Sequence, residues 1–124
     1  MATVISLLER DKNHAFLQTT TTGGTEGTTA QASLGAGLDV PMLSFTTIIQ
    51  ATSAGASGSA SCILQGSFDN SNWVTIQTVT QGGTGAIATA GSTTAKPFTW
   101  IRHNVSPNTG ANEVTRVDTL AMPQ

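Results

Sequence analysis

Runs in which apolar and polar residues alternate recur along this chain, and they constrain its fold more than any other feature. Within residues 42–50, Leu43, Phe45, Thr47 and Ile49 share one face of an extended strand, because successive side chains of a strand point to opposite sides. Between such runs the chain is rich in β-branched threonine and in glycine, and both are poor helix formers. The pattern predicts an all-β protein.

Four further segments support the same fold class. Residues 60–68 and 73–79 are two candidate strands, and the Asp-Asn-Ser-Asn sequence at 69–72 between them has typical turn chemistry. We therefore expect a β-hairpin here. Residues 98–105 and 113–122 alternate as two more strands, separated by a loop rich in turn-forming residues.

The chain has 124 residues, a length typical of one domain. About seven strands at this spacing predict a β-sandwich or jelly-roll-like fold. We assign the sandwich to residues 38–124 and predict that residues 1–37 form an extended N-terminal arm and loop. Residues 6–16 within this arm are the best helix candidate, but they are short, so we expect a short strand or a helical turn. An edge strand near residues 14–20 and a polar, glycine-containing loop or extended arm over residues 19–37 should follow.

Low charge is the main compositional feature. Only 10% of residues are charged, with 7 acidic and 5 basic side chains and a net charge of -2. Five scattered basic residues argue against nucleic acid as a partner, and no apolar run is long enough for a membrane helix. The N-terminus lacks the pattern of a secretory signal. A neutral surface suits packing against other proteins, because few charges are then buried unpaired, although a secreted or heat-tolerant domain is the alternative.

The residues that could carry catalysis do not form a recognisable set. Cys62 is expected to be a buried, inert thiol, and the two histidines, His14 and His103, are far apart in sequence. We expect His103 to be solvated or at an interface. Residues 69–72 could offer oxygen ligands to a cation, but they lack the glycine and glutamate of an EF-hand, and a turn is favoured. We predict no enzyme activity, no cofactor and no metal site.

Trp73 and Trp100 leave one binding function open. Tryptophans exposed on a β-sandwich can stack on sugars, so both are candidates for a carbohydrate-binding module. The alternative is that each is a core or sheet-packing aromatic, and we favour the core for both.

Two segments resemble a known group of proteins. Residues 63–76 read ILQGSFDNSNWVTI, with a Gly-Ser pair, an Asp/Asn turn and a tryptophan before an alternating strand. This segment resembles a hairpin common in small β-sandwich proteins of tailed-phage virions. Residues 98–105, a glycine-containing loop and residues 113–120 are similar to the closing hairpin of those proteins. Similar hairpins also occur in carbohydrate-binding and discoidin-like sandwiches.

The resemblance implies a structural virion protein of the capsid decoration, or cement, type. Such a protein would be made in the host cytoplasm, would bind the major capsid protein on the capsid exterior, and would form a homo-oligomer, with a trimer favoured. The contact residues that we predict lie in the arm and in the strand at 98–105: Val4, Leu7, Leu8, Phe16, Leu17, Trp100 and Arg102. A tail, neck or fibre-base component and a carbohydrate-binding module remain as alternatives, because fold alone does not fix function.

Overall fold

The computed structural model describes residues 3–22, 31–51, 60–81, 87–106 and 114–123, most of which form strands and none of which form a helix. There are eight described strands: β1 (Thr3–Arg10), β2 (Ala15–Thr22), β3 (Gln31–Ala32), β4 (Ala36–Ala51), β5 (Ala60–Ser67), β6 (Val74–Gln81), β7 (Ile87–Ser106) and β8 (Val114–Met122). The all-β prediction is confirmed. None of the described residues forms a helix that could cross a membrane. The loop predicted between residues 98–105 and 113–122 falls mostly outside the described residues.

The strands follow the order β1-β2-β8-β4-β7-β5-β6, every pair is antiparallel, and β3 pairs with β7. β4 and β7 are long, with 16 and 20 residues, and each contributes to two layers. Residues 87–93 of β7 pair with the C-terminal half of β4, whereas residues 100–106 pair with β5. The register of β4 shifts on both sides of Met42, where the strand passes from one layer to the other.

The result is a β-sandwich. Its first layer contains β1, β2, β8, the C-terminal half of β4 and the N-terminal half of β7. Its second layer contains β6, β5, the C-terminal half of β7, and β3 with the start of β4. The predicted alternation is confirmed from Phe45 onward, since Phe45, Thr47 and Ile49 are all buried between the layers. It fails at Leu43, which is half-buried, because the register shift places Met42 in the core instead.

Two buried clusters fill the space between the layers. The larger contains Ala15, Leu17, Met42, Phe45, Leu64, Phe98, Ile101 and Ala121. The smaller contains Ile49, Ala60, Cys62, Val79, Val105 and Val117. Both clusters draw on both layers, so burial of these apolar side chains drives the layers together.

The N-terminal segment departs from the predicted arm. β1 pairs with β2 over all eight residues, and β2 pairs with β8 over its whole length. Ala15, Leu17, Thr19 and Thr21 are buried. The edge strand expected near residues 14–20 is present as β2, but it is paired on both sides, and it extends to Thr21 and Thr22, which were assigned to a polar loop. A threonine nevertheless suits a strand interior, because its methyl group packs and its hydroxyl can bond a buried partner. The division at residue 37 also falls inside β4, which begins at Ala36.

The interior contains a histidine, which corrects our expectation that His103 is solvated or at an interface. His103 is fully buried. Its Nδ1 lies 2.8 Å from Thr19 Oγ1 on β2, and its Nε2 lies 2.6 Å from Thr119 Oγ1 on β8. The ring therefore joins the second layer to the first. A buried imidazole is tolerated here because both of its nitrogens have partners.

The hydrogen bonds continue from Thr119 to the other side of the interior. Thr119 Oγ1 lies 2.9 Å from Thr47 Oγ1, and Gln77 Nε2 donates to Thr47 Oγ1 at 2.7 Å. Ser92 Oγ donates to Gln77 Oε1 at 2.9 Å. The Gln77 amide already donates to the Thr47 hydroxyl. Each hydroxyl in this series of hydrogen bonds then has an acceptor if Thr47 donates to Thr119 and Thr119 donates to His103 Nε2. This direction assigns the neutral Nδ1–H tautomer to His103.

Candidate interaction surfaces

The outer face of the first layer presents apolar side chains. Alternate residues of its strands point away from the core, and partners in register place them side by side: Phe16 is opposite Leu120, and Leu120 is opposite Thr46. We call this surface the apolar face, and its members are Leu7, Phe16, Ile48, Ile87, Leu120 and Met122. Leu7 and Ile87 are more than half exposed, at 53% and 61%. No described strand or loop covers this face.

The charges on the apolar face largely neutralise one another. Arg116 Nε lies 3.0 Å from Asp118 Oδ2, and Gln18 Nε2 donates to Asp118 Oδ1 at 3.1 Å. The remaining described positions around them are mainly threonine, serine and glutamine, but Glu9, opposite Phe16 on the edge strand β1, adds an exposed carboxylate. A partner protein could therefore cover the centre of this face without burying an isolated charge, which would be strongly unfavourable, provided that Glu9 stays at the rim of the contact.

The size of the apolar face sets the scale of such a contact. Five strands spaced about 4.8 Å apart and eight residues rising about 3.4 Å each span roughly 20 by 27 Å, or about 500 Å². With the matching surface of a partner, about 1,000 Å² would be buried, which is near the lower limit for a specific protein interface. A single copy of this face would therefore bind weakly.

The outer face of the second layer carries a different group, which we call the Trp–Arg cluster: Gln65, Trp73, Trp100 and Arg102. Arg102 Nε donates to Gln65 Oε1 at 2.7 Å, and the guanidinium carbon lies 4.4 Å from the centre of the Trp73 ring. Both tryptophans are half-buried. The expectation of sheet-packing aromatics is therefore met, whereas the placement of both rings in the core is wrong. The rings lie against the outside of the sheet, where Arg102 and two glycines support them.

Glycines let the tryptophan rings lie close to the backbone. A Cβ at Gly37, which is opposite Trp100 in the ladder, would lie 3.3 Å from two atoms of that ring. A Cβ at Gly35 would lie 3.0 Å from Trp73 and would overlap Asn70. The Trp–Arg cluster thus depends on two glycines, Gly37 in β4 and Gly35 just before it, which leave room for the two rings.

The predicted hairpin is confirmed, and its turn positions Trp73. β5 pairs with β6 on either side of residues 69–72. Asp69 Oδ1 accepts hydrogen bonds from the backbone of Ser71 and Asn72 at 2.9 and 2.8 Å, and these bonds lower the pKa of Asp69. Asn70 has a φ of 58°, a left-handed conformation that asparagine tolerates better than most residues.

The predicted contact residues do not form one surface. Leu17 is 1% exposed and Leu8 packs against the core, because both point inward from the N-terminal hairpin. Neither is therefore available as predicted for contact with another molecule. Leu7 and Phe16 belong to the apolar face, whereas Trp100 and Arg102 lie on the opposite layer. The side chain of Val4 lies outside the described residues.

Other members of the apolar face were missed, although the sequence carries a signal for them. Ile48, Leu120 and Met122 occupy alternate positions in strands whose other positions are buried. Their neighbours in sequence, such as Ile49 and Ala121, took the inward places. Apolar residues at the outward-facing positions of an alternating strand, where polar residues are expected, are the signal that could have identified this surface.

Two of the three groups considered for catalysis are enclosed, whereas His14 is exposed in the β1–β2 turn beside Asp11. Cys62 is buried, and desolvation raises the pKa of its thiol to about 12. Burial also lowers the pKa of His103 to about 3. Cys62 is therefore a neutral thiol and His103 a neutral imidazole near pH 7, and both have the character of structural groups.

One shallow cleft lies between β1 and the β3–β4 connection. Its volume is about 180 Å³, and Ser6, Ala32, Ser33 and Leu34 line it. This volume is below the range of about 300–1,000 Å³ that is usual for small-molecule pockets. The two outer faces of the sandwich are therefore the stronger candidates for an interaction.

Comparison with known proteins supports the fold. No family model matches the chain, and no curated protein matches it. The structure is similar to that of the PBSX exported protein XepA, with a TM-score of 0.52 and 13% sequence identity. The match covers 98% of this chain but only 36% of XepA. This chain therefore spans about a third of that protein.

Weaker similarity extends to two further structures. A protein of Bacillus endospore appendages, described as disulfide-linked pili, gives a TM-score of 0.49 at 10% identity, with 98% of this chain and 89% of that chain covered. PirA gives a TM-score of 0.46 at 11% identity, with 91% and 95% covered. The likeness to XepA shows a shared fold.

Proposed function

We propose that this chain is a structural subunit of a tailed-phage virion, of the capsid decoration type, and that it binds through its apolar face. The observation that carries the proposal is a five-stranded sheet surface with apolar side chains, a paired arginine and aspartate near its centre and no described segment over it. The resemblance of residues 63–76 to a virion-protein hairpin supports it. The similarity to XepA, a PBSX exported protein, points in the same direction.

The partner that we propose is the major capsid protein on the outside of the head. A flat sheet surface without a deep pocket fits another flat protein surface better than a small molecule. Because one apolar face buries only about 1,000 Å² with its partner, several linked copies would bind much more tightly than one. A trimer bridging adjacent capsid proteins meets this requirement, and it is the oligomer that we propose.

The mechanism needs binding alone and no bond-making chemistry. A subunit that binds the expanded shell, but not the unexpanded or dissociated capsid protein, stabilises the expanded shell by linkage. At a free concentration 100 times the Kd, each site contributes about 2.7 kcal/mol. Summed over a shell, this would raise the temperature at which the head opens.

The test uses purified chain and expanded empty capsids of the phage that encodes it. We expect saturable co-sedimentation and a higher capsid melting temperature by calorimetry. Ile48→Lys and Leu120→Lys each place a charge on the apolar face and should weaken binding at least tenfold. Thr78→Lys, an exposed change on the opposite layer, is the matched control and should bind like the unmodified chain.

Two results would contradict the proposal. The first is no binding to expanded capsids at any chain concentration that stays soluble. The second is an equal loss of capsid affinity in Thr78→Lys and Leu120→Lys, which would show that the apolar face is not the binding surface. Binding to tails or necks but not to heads would instead identify the alternative virion component.

A carbohydrate-binding role is favoured by a separate observation, the half-buried tryptophans of the Trp–Arg cluster. It does not compete with the virion role, because the cluster lies on the other layer.

A further inference from the structure

Arg102 carries a charge that no described carboxylate neutralises. The other two described arginines are paired: Arg10 Nε lies 2.6 Å from Asp39, and Arg116 lies 3.0 Å from Asp118. The contacts of Arg102 are instead an amide oxygen and an aromatic ring, both neutral. Among the described arginines, Arg102 is therefore the one that remains able to bind an anion.

The guanidinium of Arg102 is held in place before any ligand arrives. Gln65 fixes its Nε, and Trp73 supports its flat face. Trp73 is itself placed by the 69–72 turn and packs near Gly35. A cation that is already ordered loses little conformational freedom on binding, and the two terminal nitrogens of an arginine match a carboxylate.

Trp100 lies beside Arg102 on the same strand, at a distance that suits a shared ligand. It is two residues before Arg102 on β7, so their Cα atoms are about 7 Å apart and both side chains lie on the outer face of the second layer. The ring is half-buried and packs on Gly37. Asn104, the next outward residue of β7, adds a half-buried amide to the same row.

We infer that the outer face of the second layer binds an acidic saccharide through the Trp–Arg cluster and Asn104. The apolar C–H face of a sugar ring packs on Trp100, and the carboxylate of the sugar accepts hydrogen bonds from Arg102. The amides of Gln65 and Asn104 bond ring hydroxyls. The spacing from Trp100 to Arg102 is about one sugar ring, so the aromatic and the cation engage the same residue of the saccharide.

The charge pattern selects this ligand class over two others. A neutral saccharide would leave Arg102 without a counter-charge. A nucleic acid presents a row of phosphates and is usually bound by several cations along a surface, whereas this row of β7 carries a single arginine. One cation beside one aromatic ring fits one carboxylate on one sugar ring.

The test is a titration of the full chain with three acidic probes: tri-galacturonate, tri-mannuronate and α2,8-linked di-sialic acid. Binding is measured by calorimetry and by the NMR signals of the indole N–H groups of Trp73 and Trp100. We expect at least one probe to bind with a Kd below about 1 mM, to shift the Trp100 signal, and to bind more weakly as salt increases. No binding by any of the three at 10 mM would overturn the inference.

Matched ligands and variants test the two contacts separately. The methyl ester of the bound uronic oligosaccharide, or of the sialic acid, keeps the ring but removes its charge, and it should bind at least tenfold more weakly. Arg102→Gln should cause the same loss, Arg102→Lys a smaller one, and Trp100→Ala a loss of at least tenfold. Thr75→Ala, on the same outer face next to Gln65, should bind unchanged. Equal binding of acid and ester would overturn the role of Arg102, and equal binding of inorganic sulfate would reduce the site to a simple anion site.

This inference stands independently of the capsid proposal. Ile48→Lys and Leu120→Lys lie on the first layer and should bind the saccharide normally. Variants that fail to bind can be checked for folding by circular dichroism. If Trp100→Ala does not fold, the acid–ester comparison on the unmodified chain still decides the question.

Discussion

Mild acid should destabilise this domain through one side chain, His103. The ring is fully enclosed, and both of its nitrogens are engaged by threonine hydroxyls in the neutral form. Protonation would place an uncompensated charge between the layers, so burial lowers the pKa of His103 from an ordinary value of 6.5 to about 3.

The sign and size of the effect follow from proton linkage. Above pH 6.5 neither the folded nor the unfolded chain protonates this histidine, and the full stability is present. Between pH 6.5 and about 3 the unfolded chain binds one more proton than the folded chain. Each pH unit in this window therefore lowers the free energy of unfolding by about 1.4 kcal/mol, or about 2.7 kcal/mol at pH 4.5. That is a large share of the roughly 5–15 kcal/mol typical of a domain.

Urea unfolding of the unmodified chain and of His103→Asn, followed by tryptophan fluorescence between pH 7.5 and 4.5, measures this term. Asp11 and Asp69 have pKa values lowered by hydrogen bonds, so the stability that they contribute is lost mainly as the pH falls below their ordinary pKa of 3.8, outside this window, and the difference between the two proteins isolates the histidine. The variant should be less stable at pH 7.5 but should lose about 2.7 kcal/mol less on acidification. Parallel stability curves would refute the reasoning. If the variant does not fold, a His103 ring signal that titrates near pH 6.5 in the native state would refute it equally.

Three further outcomes test the packing of the interior. Thr119→Val removes the hydroxyl between His103 and Thr47 and should lower the free energy of unfolding by about 2 kcal/mol or more in the same urea assay. Thr21→Val removes a buried hydroxyl with no described partner, so this variant should be as stable as the unmodified chain or slightly more stable. Gly66→Ala should cost about 1–3 kcal/mol, because its Cβ would lie 2.6 Å from the Phe98 ring; Gly91→Ala, with its nearest atom at 3.7 Å, should change stability by less than about 0.5 kcal/mol. Cys62 should not react with a thiol reagent such as Ellman's in the native chain but should react fully in guanidinium chloride; rapid native labelling would contradict its burial.

The parts of the fold that were predictable from sequence are those where large apolar residues alternate. Phe45 and Ile49 gave the phase of β4 correctly, and the Asp-Asn turn gave the β5–β6 hairpin. In the N-terminal hairpin, a strand near residues 14–20 was predicted, but its place inside the sheet was not, because threonine is found both in loops and in strand interiors. Whether Thr19 is buried depends on a partner, His103, that is 84 residues away in sequence.

The candidate surfaces were predictable only in part. Arg102 and Trp100 were selected correctly as neighbours on one strand face, since that follows from period two. The contact between Trp73 and Arg102 could not be predicted, because it depends on how the 69–72 turn places the indole over β7. The apolar face required knowledge of which strands are adjacent, and the strand order places β8 between β2 and β4.

The arrangement of β1, β2 and β8 has a mechanical consequence. β1 and β8 run in the same direction on either side of β2, so Thr3 and Met122 lie at opposite ends of this three-stranded unit, about 25 Å apart along the strands. Tension applied between these points runs along the strands and shears both ladders, each with eight residue pairs, instead of peeling one pair apart at a time. In such a geometry many hydrogen bonds share the load and must break together. A domain anchored through its two ends would therefore resist stretching far better than its modest core alone suggests.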